Sequence, residues 1–234
     1  MSQKIPLVLV PGLLCTADLW RDQLQALDDI AQMTVPRHDQ FETIGEIASD
    51  ILKKAPDRFA LAGLSMGGYI ALEIILRAPE RVSHLALLDT QATNDSAEQK
   101  KRRQDFIRLV ERGSTFKGVT QSLLPMLIHP DRFRDEELTG RIYQMANDIG
   151  RDGFIRQERA IMSRKDRMGE LEQIDCPTLV LSGNEDALIP ALHQQEMANH
   201  IPDAEFHIID KCGHLPTMER PVQSNMILRE WLGW

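Results

Sequence analysis

Ala60-Leu61-Ala62-Gly63-Leu64-Ser65-Met66-Gly67-Gly68 reads as the end of a buried strand, a sharp turn carrying one serine, and the start of a helix. Its centre, Gly63-Leu64-Ser65-Met66-Gly67, fits the G-x-S-x-G elbow. A serine lifted clear of the backbone at a strand-to-helix turn must adopt a strained conformation, and the residues two positions either side must be small because strand and helix approach closely there. The short apolar run Arg58-Phe59-Ala60-Leu61-Ala62 leads in as a buried parallel strand does. Tyr69-Ile70-Ala71-Leu72-Glu73-Ile74-Ile75-Leu76 leads out with apolar residues on nearly every side, which predicts a central helix packed all round. Pro79 stops that helix. The plainer reading of the pentapeptide alone is a glycine-rich turn with a capping serine; the strand before and the helix after favour the reactive serine.

The same alternation extends outward. Lys4–Val10 predicts a first buried strand ending at Pro11-Gly12, followed by a helix from Ala17 to Ile30. Gln32–Pro36 predicts a second strand, Phe41 to Leu52 a helix, and Val82–Asp89 a fourth strand after the elbow. Strands alternating with helices indicate a parallel sheet covered on both faces, an α/β fold. From about Asn94 to Leu171 only helical segments are predicted, with Asp95 or Ser96 as the first cap and later pieces at Thr120–Ile128, Glu136–Ile149 and Phe154–Ser163. The alternation resumes with a strand at Cys176–Ser182, a helix from Ala191 to His200, a strand at Glu205–Ile209 and a closing helix from Pro221 to Trp234. The expected organisation is a core over 1–92 and 173–234 with a helical lid over 93–172, an insert of roughly eighty residues and longer than an ordinary connection.

Composition bounds the function. The chain has 234 residues, 42% hydrophobic and 26% charged, enough for one sizeable core. A formal net charge of -8 argues against nucleic acid as partner. No apolar run suits a membrane span, and Met1–Pro6 lacks the layout of a signal peptide. Three cysteines at no metal-binding spacing predict reduced thiols and a cytoplasmic setting. There is no HExxH, P-loop or GxGxxG, so neither metal nor cofactor is expected.

A serine hydroxyl becomes a nucleophile only with a base in reach, itself oriented by an acid. The elbow predicts the order Ser, Asp/Glu, His. Leu181-Ser182-Gly183-Asn184-Glu185-Asp186 places carboxylates just past a strand, and Asp210-Lys211-Cys212-Gly213-His214 places a histidine after the last strand. Asp186 is the favoured acid, with Glu185 adjacent and Asp89 also ending a strand. His214 is the favoured base among seven histidines; His84 and His207 lie in strands, His193 and His200 on a helix, His129 in the insertion, and His38 after a strand competes. Two backbone N–H donors are required for an oxyanion, expected from Met66 at the helix start and Leu13 in the first turn. Leu14, Met126, Ile128 and Leu188 are candidates for an apolar acyl pocket, Met126 and Ile128 from the insert. Lys100-Lys101-Arg102-Arg103 reads as a solvated helix face, the alternative being a dock for an acidic acyl-carrier protein.

Taken together, Val8–Leu14, Gly63–Gly68, Gly183–Pro190 and Gly213-His214 resemble the α/β-hydrolases of compact, lidded type, and among them pimeloyl-carrier-protein methyl ester esterases, menaquinone-pathway hydrolase-like lyases and enol-lactonases. The resemblance covers nearly the whole chain. In such proteins the aspartate lies three residues after the glycine and four before a proline, which selects Asp186. The usual histidine before the first-loop glycine is Pro11 here, and the two antiparallel strands that often come first are missing, so a sheet of about six strands is expected. The resemblance implies a metal-free serine hydrolase acting on small-molecule carboxylic esters of small to medium acyl groups. A lyase or lactonase using the same residues, or a small-ligand receptor on the same fold, is the alternative.

Overall fold

A computed structural model describes residues 4–113, 116 and 118–234. Six strands form one sheet: β1 (Ile5–Val10), β2 (Ala31–Thr34), β3 (Phe59–Leu64), β4 (Val82–Leu88), β5 (Thr178–Gly183) and β6 (Glu205–Ile209). All pairings are parallel, in the order β2-β1-β3-β4-β5-β6. Every residue of β3 and β5 is buried, whereas β2 and β6 at the edges are largely accessible. Because side chains alternate across a strand, β1 sends Val8 and Val10 into one core and Leu7 and Leu9 into the other. The first core packs on α2 (Ile44–Lys54) and α3 (Met66–Arg77). The second packs on Trp20 and on Leu228 and Trp231 of α9 (Pro221–Trp231).

Register decides where chemistry can sit. Val10 pairs with Gly63, Leu64 with Leu88, and Leu88 with Leu181. The carboxyl ends of β1, β3, β4 and β5 are therefore level. The turns that follow them, carrying Leu13, Ser65, Asp89 and Asp186, open on one edge of the sheet. The chain also reverses its direction of travel between β1 and β3, the place where open α/β sheets leave a crevice.

Helix limits shift where local hydrogen bonding competes with periodicity. The helix expected over Ala17–Ile30 is a 3₁₀ turn at Ala17–Trp20 and then α1 (Arg21–Ala26). It closes early because the Leu27 carbonyl accepts from both Ile30 and Ala31 N–H, turning the chain into β2. The helix α2 starts at Ile44 because Thr43 caps it through Glu46 N–H. Between β4 and β5 lie α4 (Ala97–Glu111), α5 (Leu124–Leu127) and α6 (Glu136–Met162), with no strand among the described residues. Ser96 caps α4 in a capping box with Gln99. Asp95 is instead buried against Arg103 and Arg164, at 2.9 Å from each. The two helices expected at Glu136–Ile149 and Phe154–Ser163 are one element bent at Gly150 (φ 68°, ψ -176°). The basic run divides: Arg103 turns inward to Asp95 and Glu158, while Lys101 and Arg102 reach acidic residues of their own helix. After β5 come α7 (Ala191–Asn199) and the short α8 (Pro216–Glu219). Among the described residues no helix is long and apolar enough to cross a membrane.

The elbow glycines are demanded by space. A Cβ on Gly67 would stand 2.1 Å from the Val10 carbonyl oxygen, a backbone atom that cannot move aside. A Cβ on Gly140, in α6, would meet nothing within 4 Å. We expect Gly67→Ala to destabilise by about 3 kcal/mol or more, and Gly140→Ala to be neutral or stabilising by up to about 1 kcal/mol. Urea midpoints of the two variants check this, and equal midpoints would refute the packing argument.

Candidate active site

Ser65 precedes α3 with φ 55° and ψ -115°, a conformation a non-glycine residue holds only when its surroundings impose it. Ser65 N–H donates to the Leu88 carbonyl at 2.9 Å. Its own carbonyl accepts from Gly68 N–H at 2.9 Å and from the Thr90 hydroxyl at 2.8 Å. The strained backbone is thus pinned to the end of β4 while the side chain stays uncommitted. Met66 N–H opens α3, where the helix dipole favours negative charge. Among the described residues neither Met66 nor Leu13 N–H has a protein acceptor.

The first loop is braced without a histidine at position 11. Leu14, at φ 59°, donates its N–H to Gln157 Oε1 at 3.0 Å. His38 Nε2 lies 3.1 Å from the Gly12 carbonyl oxygen and 3.2 Å from Gln157 Nε2. Both His38 and Gln157 are buried. His38, a competitor for the base on sequence grounds, sits beneath this loop. Burial pulls its pKa from 6.5 down to about 4, against the opposing pull of the Gly12 carbonyl.

Asp186 and His214 meet directly. His214 Nδ1 donates to Asp186 Oδ2 at 2.8 Å, and Asp186 Oδ1 accepts from Leu188 N–H at 2.8 Å and Ile189 N–H at 3.1 Å. Burial pushes the Asp186 carboxyl up. The imidazole beside it, their hydrogen bond and the two N–H groups outweigh that and hold it below the usual carboxylate range. With Nδ1 engaged, Nε2 is the ring nitrogen left for chemistry. Among the described residues no hydrogen bond yet joins Ser65 Oγ to the imidazole; their proximity rests on the level strand ends and on Asp89. That residue follows Leu88, and its carboxylate falls with Asp186 and His214 in a cluster whose nearest donor atoms lie within 4.8 Å of one another. Asp89 Oδ1 accepts from Gly183 N–H at 2.9 Å. Burial, then the charge of Asp186, push the Asp89 carboxyl well above its ordinary value, opposite to the direction Asp186 takes. These three residues have the spacing of cation ligands, but His214 Nδ1 and both oxygens of Asp186 are already engaged by protein partners.

Glu185 takes a different part: its Oε2 accepts from Cys212 N–H at 3.0 Å and its N–H donates to the Cys212 carbonyl, which ties the β5 turn to the β6 loop. Of the other histidines, His84 packs edge-on against Trp231, and His200 bonds the carbonyl of Glu196 in its own helix. His207 lies on the edge strand and His129 caps the turn at Pro130–Arg132. Leu14 is half-buried, Met126 and Leu188 are exposed, and Ile128 is buried against the His214 loop. The sequence does not single out Gln157 and Glu219, buried polar residues that bond Leu14 and His129 far away in the chain; each stands beside charged residues and carries no local signal. An open groove of about 420 Å³, lined by Phe41, Thr43, Ser49, Lys53 and Arg77 among others, lies at the opposite end of α3 from Ser65.

The His38 environment makes stability depend on pH. The unfolded chain takes up the His38 proton near pH 6.5, the folded chain only near 4. The contribution is full above the higher value and is lost as pH falls towards the lower, amounting to about 3 kcal/mol. His38→Gln should flatten the pH dependence of unfolding free energy between pH 6.5 and 4. An unchanged slope in urea titrations across that range would refute the assignment.

The family model for the alpha/beta hydrolase fold matches residues 5–221. The chain is 24% identical over 237 residues to a pimeloyl-[acyl-carrier protein] methyl ester esterase of Nitrosomonas europaea, covering 93% of this chain and 91% of the relative. Among solved structures, a thermophilic esterase from Thermogutta terrifontis is 30% identical with a TM-score of 0.88, over 98% of this chain and 90% of that one. The enol-lactonase from Burkholderia xenovorans shares the fold at 22% identity and a TM-score of 0.84, over 100% and 92% of the two chains. With its parallel six-stranded sheet, its serine elbow and a family match over most of its length, this chain belongs to the α/β-hydrolase fold family.

Proposed function

We propose that the protein is a serine hydrolase that cleaves carboxylic esters of small to medium acyl groups through an acyl-enzyme on Ser65. The observation that carries this reading is the buried 2.8 Å bond from His214 to Asp186, set at the same edge of the sheet as a serine held at φ 55°. Ser65 Oγ attacks the ester carbonyl carbon as His214 Nε2 takes its proton. Asp186 keeps the proton on Nδ1 and stabilises the imidazolium. The tetrahedral oxyanion is received by the free N–H groups of Leu13 and Met66. As the intermediate collapses, the imidazolium returns the proton to the departing alkoxide and the acyl group stays on Ser65. Water then repeats the attack, gives its proton to His214 and releases the acid, and Ser65 recovers its hydrogen.

Two relatives support ester chemistry by name, the Thermogutta esterase and the Nitrosomonas methyl ester esterase. The likeness to an enol-lactonase supports lactones as a second substrate class, since a lactone is a cyclic ester opened by the same steps. The helical insertion over 93–172 serves as a lid. Leu14, Met126 and Leu188 supply apolar surface for the acyl chain, and Ile128 acts from below by packing. No cofactor takes part in the proposed cycle. The three cysteines are buried free thiols, Cys15 pushed up to about 12 by burial, as suits a reducing cytoplasm. Arg103 turns inward to Asp95 and Glu158, and Lys101 and Arg102 pair within their own helix, so the substrates proposed are free small esters.

The test is covalent. A fluorophosphonate should label Ser65, and a panel of p-nitrophenyl esters of graded acyl length should be turned over. Ser65→Ala should abolish labelling and lower kcat by about 10³-fold or more. Wild-type turnover in that variant would overturn the proposal.

A further inference from the structure

Glu219 is a buried carboxylate that the proposed cycle does not use. It closes α8, and no cationic side chain hydrogen-bonds its carboxylate among the described residues. Arg132 and Arg220 bond the Glu219 backbone carbonyl instead. The carboxylate is taken up by backbone donors. Oε1 accepts from Gly213 N–H at 2.9 Å and Leu215 N–H at 3.2 Å, the residues on either side of His214. Oε2 accepts from His129 N–H at 2.7 Å, ninety positions away in the insertion. A second bond runs parallel to these, since His214 N–H donates to the Leu127 carbonyl at 3.0 Å. The two segments touch so closely that a Cβ on Gly213 would lie 2.8 Å from Ile128 Cα.

One side chain therefore grips the base's loop with one oxygen and the insertion with the other. We propose that Glu219 is a positioning residue that locks the inner turn of the lid, Leu127–His129, to His214, so that the lid's seating sets the placement of the imidazole. This rests on the reading of His214 as the base. The alternative is a purely structural carboxylate that holds the loop together without any effect on chemistry. A buried carboxyl group needs a donor at each oxygen, and an oxygen left without one carries the full cost of its desolvation. Loss of the His129 donor leaves Oε2 unpaired inside the protein and pushes lid and base loop apart.

The backbone offers a clean way to remove that single donor. His129 has φ -63°, the angle proline imposes, and Ile128 before it is extended at φ -136° and ψ 156°, as a residue preceding proline must be. His129→Pro deletes the N–H without disturbing the turn, and His129→Ala is its matched control for the lost side chain. Glu219→Gln keeps an acceptor for Gly213 and Leu215 but turns an amide NH₂ towards His129 N–H. Glu219→Ala removes everything. Each variant is titrated with a fluorophosphonate to count competent sites, and the phosphonylation rate and ester kcat are then expressed per site. A structural role alone lowers the number of sites and leaves the rate per site unchanged.

The expected result is a rate per site about tenfold lower in His129→Pro than in His129→Ala, matched by Glu219→Gln, with the loss in kcat and little change in KM. Glu219→Ala should be slower still. Equal per-site rates in His129→Pro and His129→Ala would overturn the proposal, and that comparison stands even if Glu219→Ala fails to fold. If the wild-type enzyme leaves Ser65 unlabelled, the reading of Ser65 and His214 fails. If Ser65 labels normally and the paired rates coincide, only the role of Glu219 fails.

Discussion

Everything at this edge of the sheet depends on how closely the first turn of α3 is pressed against the end of β1. Gly67 lies so near the Val10 carbonyl that no side chain fits between them. That contact brings the open end of a helix and the first loop together. The N–H groups of Met66 and Leu13, from distant parts of the chain, can then face one small volume. It also forces Ser65 into its left-handed conformation, a strain of about 1–3 kcal/mol that neighbouring contacts must offset. The bonds from Ser65 N–H to Leu88 and from Thr90 to the Ser65 carbonyl supply part of that offset.

Burial shifts the ionisable groups around the elbow in opposite directions. It pulls the His38 imidazole down to about 4 and pushes the Asp89 carboxyl up, while at Asp186 the His214 imidazole and two N–H groups outweigh burial and hold the carboxyl down. The thiols of Cys15 and Cys212 are both pushed upward by burial, which leaves them unreactive beside the serine. Desolvation is the largest cause of the shift at all four of these groups, His38, Asp89, Cys15 and Cys212.

The parts of this arrangement that were legible in the sequence are those carried by local pattern. The elbow, the apolar strands, the Ser96 cap and the break between Ile149 and Phe154 each occupy a few consecutive residues, and each has a local physical cause. Turns at strand ends narrow the acid to Asp186, Glu185 or Asp89 and favour His214 as the base; the choice of Asp186 over Glu185 comes from the family resemblance, not from local pattern. Gln157 was not legible: it sits 143 residues from Leu14, and nothing near it in the chain distinguishes a glutamine that braces a loop from one facing water. Arg103 departs from the solvated face expected of Lys100–Arg103 because four basic residues in a row conceal which one has buried acids across from it. The first helix is shorter than its apolar period implies, because Leu27 and Ile30 continue that period while the backbone turns for β2.

The bend at Gly150 divides α6 into two arms with separate attachments. Before it, Arg141 reaches Asp18 and Asp22 beside the first 3₁₀ turn; after it, Gln157 bears on Leu14 and Arg156 on the Asp39 carbonyl. The backbone there takes an angle pair that only glycine adopts without cost. The insertion is consequently a two-armed clasp with a fixed elbow, which takes hold of the loop after β1 from both flanks. Lengthening or straightening either arm would shift its hold on that loop without altering Ser65, Asp186 or His214.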